Sequence, residues 1–223
     1  MKNYRKMEII AGVGFLLAIV FGILSLSLTE SYITDLDFTV IADNVTSIKI
    51  GAILTMFMAL SVMMISLAFY PVLKKKSSSL ALGYVGLRFL EGFIFIINAV
   101  ILLTLITLSK DIANADFNNS IGHLLLEARN HLGHVALDMV VISVAALILY
   151  YLLLKSKLVP TWISIWGLIA SVIYMLAAYM VLFGFEPLSP AYIAMNIPLA
   201  LNEAVLGVFL IVKGFNKDAI KRL

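Results

Sequence analysis

The sequence predicts an all-α integral membrane protein of six transmembrane helices, with both termini cytoplasmic and a single domain over residues 1–223. Three observations predict it. Hydrophobic residues make up 62% of the chain and charged residues 13%, whereas a soluble domain carries about 25% charged residues. Mean hydropathy is +1.06, and the apolar residues gather into six runs, each near the roughly 20 residues that cross about 30 Å of hydrocarbon. The basic residues fall in alternate connections between those runs, as the positive-inside rule requires. Separate apolar runs of this length suit helices rather than barrel strands, because a helix satisfies its own backbone in lipid.

The first run, Ile9–Leu28, follows Lys2, Arg5 and Lys6. It is longer than the apolar region of a cleavable signal peptide and lacks a small-x-small cleavage site, so it reads as the first membrane helix. An acidic connection over about residues 29–47 leads to the second run, Ile48–Leu73. The short stretch "KKKSSS" then joins it to the third, Leu80–Leu108, as a helical hairpin. An outer connection over about 109–120 precedes the fourth run, Val135–Leu154. Lys155, Lys157 and the breaker Pro160 separate that run from the fifth, Trp162–Phe185. An "EPLSP" turn leads to the sixth, Tyr192–Val212, which Lys213, Lys217, Lys221 and Arg222 follow. The opposite side carries Glu30, Asp35, Asp37, Asp43, Asp111, Asp116, Glu127 and Glu186 against Lys49, Lys110 and Arg129.

This arrangement explains the net charge of +3 without a nucleic acid: the cations are anchors at an anionic leaflet. With no cysteine, disulfides, thiolate catalysis and cysteine metal sites are excluded. No Walker motif, dinucleotide fingerprint or nucleophile elbow is present. "YPVLKKKSSSLALGYVGL" from Tyr70 aligns without gaps on "YLLLKSKLVPTWISIWGL" from Tyr151. This is either a duplicated hairpin, as in many transporters, or two interfaces that converged on tyrosine and lysine. Gly12, Gly14, Gly83 and Gly86 are read as sites of close helix approach. The tyrosines, with Trp162 and Trp166, are read as interface anchors, and the methionines as packing or lipid-facing residues.

Ionisable residues within a span cost about 2.5–3.5 kcal/mol each on insertion scales, so each needs a reason. Arg88 and Glu91 stand in the third run, Asp138 in the fourth and Glu203 in the sixth. At 1.5 Å per residue Arg88 lies about 12 Å from the cytoplasmic end, and Glu91 and Glu203 about 15 Å. Arg88 is therefore expected to pair with Glu203, Glu91 or both; such a cluster either fixes helix order or faces a ligand. Asn98 and Asn196 fall at similar outer-half depths, and Asn202 precedes Glu203.

The stretch "IGHLLLEARNHLGHVALDMVV", residues 121–141, holds all three histidines. On a helix at 100° per residue, His123, Glu127, His131, His134 and Asp138 fall within about 80° of arc, while Arg129 points away. A helix over 121–155 would be roughly 50 Å long, so its first turns project outward or bend, with Gly133 as the candidate hinge. Three readings of the stripe stand. His131 and His134 with Glu127 or Asp138 offer a divalent metal such as zinc suitable ligands. The same chain suits a proton relay or ligand funnel. Or it is a solvated helix face.

Three stretches, "YPVLKKKSSSLALGYVGLRFLEG" (70–92), "LLKSKLVPTWISIWGLIA" (153–170) and "PLALNEAVLGVFLIVKGF" (198–215), resemble a bacterial multi-pass family, domain-of-unknown-function family 4386. The resemblance covers most of the chain and rests on "GLRxLEG" and "NE", here Gly86, Leu87, Arg88, Leu90, Glu91, Gly92, Asn202 and Glu203; the histidine region matches less closely. It implies that Arg88, Glu91 and Glu203 are a family feature and that the protein resides in a bacterial plasma membrane. It implies no activity.

The function expected is binding of a small ligand, ion or proton at the intramembrane cluster, in a transporter-like or sensory role. Glu91 and Glu203 would bind or relay, with Arg88 as counter-ion. An alternative is a metal-dependent membrane hydrolase acting on a lipid or amphiphile, with His131, His134 and Asp138 as ligands and Glu127 or Glu91 as base. A further alternative is a structural or regulatory partner protein. The bilayer is the expected partner, and oligomeric state is left open.

Overall fold

The computed structural model describes residues 4–110 and 115–223, with no side-chain description for 115–117 and 139. Lys2 and Asp111, and the side chain of Asp116, lie outside the described residues. The described chain is helical with no strands. Among its helices, six are long and apolar enough to cross a membrane. In chain order the described helices are α1 (Arg5–Ile33), the short α2 (Phe38–Asp43), α3 (Val45–Leu73), α4 (Ser78–Leu108), then α5 (Ala115–Asn130), a π-helical segment (His131–Ile142) and α6 (Ser143–Ser156), these last three continuous and forming the fourth span. After these come α7 (Thr161–Leu182), α8 (Pro190–Val212) and the short α9 (Lys217–Arg222).

The expected runs all recur, most of them longer at one or both ends, and α7 shorter at its C-terminal end. α1 begins four residues before Ile9 and runs on to Ile33, and α2 occupies part of the expected outer connection. Local chemistry sets the boundaries. Ser77 accepts a hydrogen bond from Leu80 N at 3.4 Å and caps α4, and Ser189 does the same for Tyr192 N at the start of α8. Lys157, at φ 54°, closes α6 in the left-handed region. α7 stops at Leu182 rather than Phe185 because Gly184 takes φ +97°.

Asp37 caps α2 by accepting from Thr39 N at 2.8 Å and from Thr39 Oγ1 at 2.7 Å. These bonds, the hydroxyl's first, hold its carboxyl below the ordinary 3.8. A depressed folded-state pKa stabilises fully above the unfolded value and is lost as pH falls through the folded value. Intrinsic-rate-corrected amide exchange in α2 is therefore expected to stay flat from neutral pH to about 3.8 and to accelerate below it. Asp37→Ala should be fast throughout, and a wild-type α2 insensitive to acid would contradict the cap.

The spans close into a bundle in which α1 packs against both α3 and α8. Between α1 and α3, Ser25 Oγ donates to Gly51 O at 2.9 Å and lies 2.7 Å from Thr55 Oγ1, a polar contact of the kind that holds membrane helices together. Between α1 and α8, a Cβ on Gly12 would stand 2.5 Å from Gly207 O. The expectation for small residues thus holds at Gly12 and at Gly14, where Ile65 Cγ1 is 2.7 Å from the ideal Cβ. It fails at Gly83, whose nearest neighbour is 3.9 Å away, and at Gly86, which has none within 4 Å. Gly167 is instead the tight contact of α7, with the Tyr150 ring lying on it.

Phe69 centres the core of the basic half, with its ring 6.2 Å from Phe15, 6.3 Å from Tyr84 and 5.7 Å from Phe215. A second core, around Ile33, Ile41, Ile48, Leu102 and Leu105, fills the other end. Outward-facing residues such as Ile23, Leu60, Leu82 and Ile169 are exposed and apolar, as a lipid-facing belt requires. The two matched hairpin turns share one local device: Lys74 lies 5.2 Å over the Tyr70 ring and Lys155 5.8 Å over the Tyr151 ring. The tyrosine–lysine match is thus met by an i, i+4 cation–π contact in both turns.

Candidate functional site

Two polar sites occupy the interior. The first is the charged cluster. Arg88 Nη1 donates to both oxygens of Glu91, at 3.1 and 3.0 Å, and Nη2 donates to Glu203 Oε1 at 2.9 Å. Arg88 thus pairs with both acids: with Glu91 from one turn along its own helix, and with Glu203 from α8. Arg88 and Glu91 are both 2% exposed, so neither charge is left to solvent. Asn202, beside Glu203, turns the other way and donates to Ile163 O at 3.0 Å, tying α8 to α7.

Tyrosines that sequence reasoning placed at the interface surround this cluster. Tyr84 and Tyr150 are fully buried, and the Arg88 guanidinium carbon lies 5.6 Å over the Tyr84 ring. Their hydroxyls, Arg88 Nε and Asn202 Oδ1 have no hydrogen-bond partner among the described residues. Trp162, 55% exposed and stacked on Trp166 at 6.2 Å, keeps the anchor position expected of it.

The second site is a cavity of about 280 Å³ in the acidic half, which all six spanning helices help to line. Asp138 is its centre. Tyr174 Oη donates to Asp138 Oδ1 at 2.9 Å, and Tyr192 Oη donates to Oδ2. The Tyr192 hydroxyl lies 2.9 Å from His134 Nδ1, and the two rings meet edge to face at 5.4 Å. A phenol has one proton. With Tyr192 giving it to Asp138, His134 donates from Nδ1, and in the neutral imidazole Nε2 is then the acceptor. The result is a directed chain from His134 through Tyr192 to Asp138. Asn98 and Asn196 also line the cavity, each with a buried Oδ1 that no described residue satisfies. Arg129 and Glu30 form an ion pair at its edge, joining the ends of α5 and α1.

The histidine stripe does not stay together. His123, Glu127 and His131 are exposed, while His134 is partly buried and Asp138 buried. His131 Nδ1 approaches Glu127 O at 2.8 Å and Glu127 Oε2 at 3.8 Å, with both side chains about two-thirds exposed. The π segment is the cause. Its i→i+5 bonding advances roughly 80° per residue instead of 100°, so seven steps from His131 to Asp138 end nearly opposite rather than in line. His134 and Asp138, four steps apart, remain neighbours at 3.9 Å. Among the described residues no group of three or more histidines and carboxylates is disposed to hold a metal ion. The structure therefore does not bring His131, His134, Asp138 and Glu127 together.

Sequence reasoning missed Tyr174, Tyr192 and the Glu30–Arg129 pair. A tyrosine reads as an anchor wherever it falls near a run's end, and Glu30 and Arg129 stand 99 positions apart.

A polytopic helical membrane protein with a polar interior is the class that this fold and these sites define. The family model described as domain of unknown function (DUF4386) matches residues 10–214, and the chain belongs to that family. The resemblance seen in the "GLRxLEG" and "NE" segments is thereby borne out. No curated protein and no solved structure matches the chain.

Proposed function

We propose that this protein binds a small cation, a protonated amine or a proton in the Asp138 cavity, in a transporter-like or sensory role. One observation carries the reading: the cavity encloses a carboxylate whose neighbours are hydroxyls and a histidine, not a lysine or arginine. The Arg129 charge at the edge goes to Glu30. What remains at the centre is one negative group beside two unsatisfied amide oxygens, Asn98 Oδ1 and Asn196 Oδ1, with the Nε of Arg129 an unsatisfied donor at the edge. Acceptors around a lone carboxylate favour a cationic donor. A cavity of about 280 Å³ is at the lower edge of small-molecule pockets, which suits an ion or small amine. Glu91 and Glu203 serve this reading indirectly, because both are already engaged by Arg88, whose single charge is shared between them. The basic end faces the cytoplasm of a bacterial plasma membrane, in keeping with the positive-inside rule.

The test is thermal unfolding of the purified full chain against sodium, potassium, magnesium and ethylammonium chlorides, at ionic strength held constant with N-methylglucamine chloride. A ligand at 100 times its Kd stabilises by about 2.7 kcal/mol, which shifts the midpoint by several degrees. A saturable rise with one of these cations, abolished in Asp138→Asn and weakened in Tyr192→Phe, is the expected result. A flat response to all four, with the variant indistinguishable from wild type and no pH-dependent proton uptake difference between them, would overturn it.

A further inference from the structure

At the opposite end of the bundle lies a larger cleft of about 970 Å³. Arg5, Lys74, Lys75, Lys213, Lys217 and Lys221 line it, and Glu8 is its only carboxylate among the described residues. We propose that this cleft binds a phosphate-bearing anion, supplied either by a lipid headgroup or by a soluble phosphate. The site is independent of the Asp138 cavity.

Most of the charge along this cleft is unspent. Glu8 is fully engaged: Oε1 accepts from Phe215 N at 3.1 Å, and Oε2 faces Arg5 Nη1 at 3.3 Å. Arg5 is turned to the end of α8, donating to Leu210 O at 2.9 Å and to Ile211 O. Lys75 lies 5.6 Å over the Tyr4 ring, and Lys221 meets Asp218 at 3.7 Å on an exposed surface. Lys213 and Lys217 have no carboxylate partner among the described residues. Five lysines therefore line one concavity whose single lining acid is spent, and among the described residues only Lys221 of the five has a carboxylate partner. A concave wall focuses their potential.

The cleft is also built rather than incidental. Gly214, at φ +74°, turns the chain after α8 so that Phe215 N reaches Glu8; a Cβ there would stand 2.3 Å from Glu8 Oε2. That turn, with α9, brings Lys217 and Lys221 to the same cleft as the ends of α1 and α3. Lysines bind phosphate as point charges, and the one arginine in the lining is committed to backbone carbonyls and Glu8. The apolar lining from Pro71, Val212, Phe215 and Ile220 suits the glycerol and upper acyl part of a phospholipid. The cleft sits at the ends of the spans, where headgroups lie.

The experiment uses the full chain in neutral detergent. Native mass spectrometry with equimolar phosphatidylglycerol and phosphatidylcholine reads the lipid source; calorimetric titration with pyrophosphate reads the soluble one. Wild type is expected to retain phosphatidylglycerol at least tenfold over phosphatidylcholine, or to bind pyrophosphate. Lys75→Gln/Lys213→Gln/Lys217→Gln should lose that preference, with the single Lys213→Gln and Lys217→Gln variants each weakened severalfold, since each near-surface lysine contributes on the order of one such step. Lys6→Gln/Lys155→Gln/Lys157→Gln removes equal charge outside the cleft lining and should keep it. Equal retention of both lipids without pyrophosphate binding overturns the proposal. So does an equal loss in the two triple variants, which would make the effect one of general surface charge.

Discussion

Arg88→Leu is expected to give the most damaged protein of any single substitution in the spans. The variant leaves Glu91 buried without its partner and removes the one hydrogen bond that Glu203 accepts among the described residues, the link from α4 to α8. Removing one member of a buried pair costs about 3–5 kcal/mol, because the remaining charge is uncompensated. For a chain of this size that corresponds to a fall of roughly 10 °C or more in unfolding midpoint, with loss of monodispersity in size-exclusion chromatography. The triple variant Arg88→Met/Glu91→Leu/Glu203→Gln carries no uncompensated charge and is expected to recover most of the loss. A single variant as stable as wild type would mean that the cluster does not hold the bundle together.

The second large effect is expected at Gly12. An ideal Cβ there meets Gly207 O at 2.5 Å and Ile211 Cγ1 at 2.7 Å. The first of these is backbone and has no rotamer to yield, so α1 and α8 must separate. Overpacking costs about 1–3 kcal/mol, and leucine lies at or above the top of that range. Gly12→Leu is therefore expected to lower the midpoint by roughly 5–10 °C. Gly86→Ala is the control: nothing lies within 4 Å of its Cβ, and alanine is favoured over glycine in a helix by about 1 kcal/mol. It should match or exceed wild type. Equal damage at both positions would show that the loss does not come from the α1–α8 contact.

The contrast between these glycines marks where sequence reasoning stops. Long apolar runs announce spans, because the bilayer imposes one length on every helix. The Arg88 cluster was legible for a similar reason: charge at that depth demands a partner, and Glu91 is one turn away. What the pattern does not encode is rotation. Gly12 and Gly86 look alike until one knows which face meets a neighbour. Tyr174 and Tyr192 look like anchors until the bundle turns them inward onto Asp138. The π segment is the sharpest case. An α-helical wheel aligns His131 with Asp138, and a wider turn of the same residues sends one to the surface and keeps the other inside. The choice between i→i+4 and i→i+5 bonding is made by packing, not by the order of apolar residues.

The contact of α1 with α8 has a consequence for how the protein is made. Helices inserted one after another find most partners among recent arrivals: α3 has α4, and α6 has α7. α1 packs on α3 at once, but its other flank, with Gly12 facing Gly207 and Glu8 awaiting Phe215 N, stays unclosed until α8 has been threaded in. During that interval lipid or another protein must cover it. The bundle therefore waits on a closure between α1 and α8, the kind of long-range pairing that is slow and open to interception. An insertion factor that shelters α1, or a second nascent chain that offers its own α8, would act at this step.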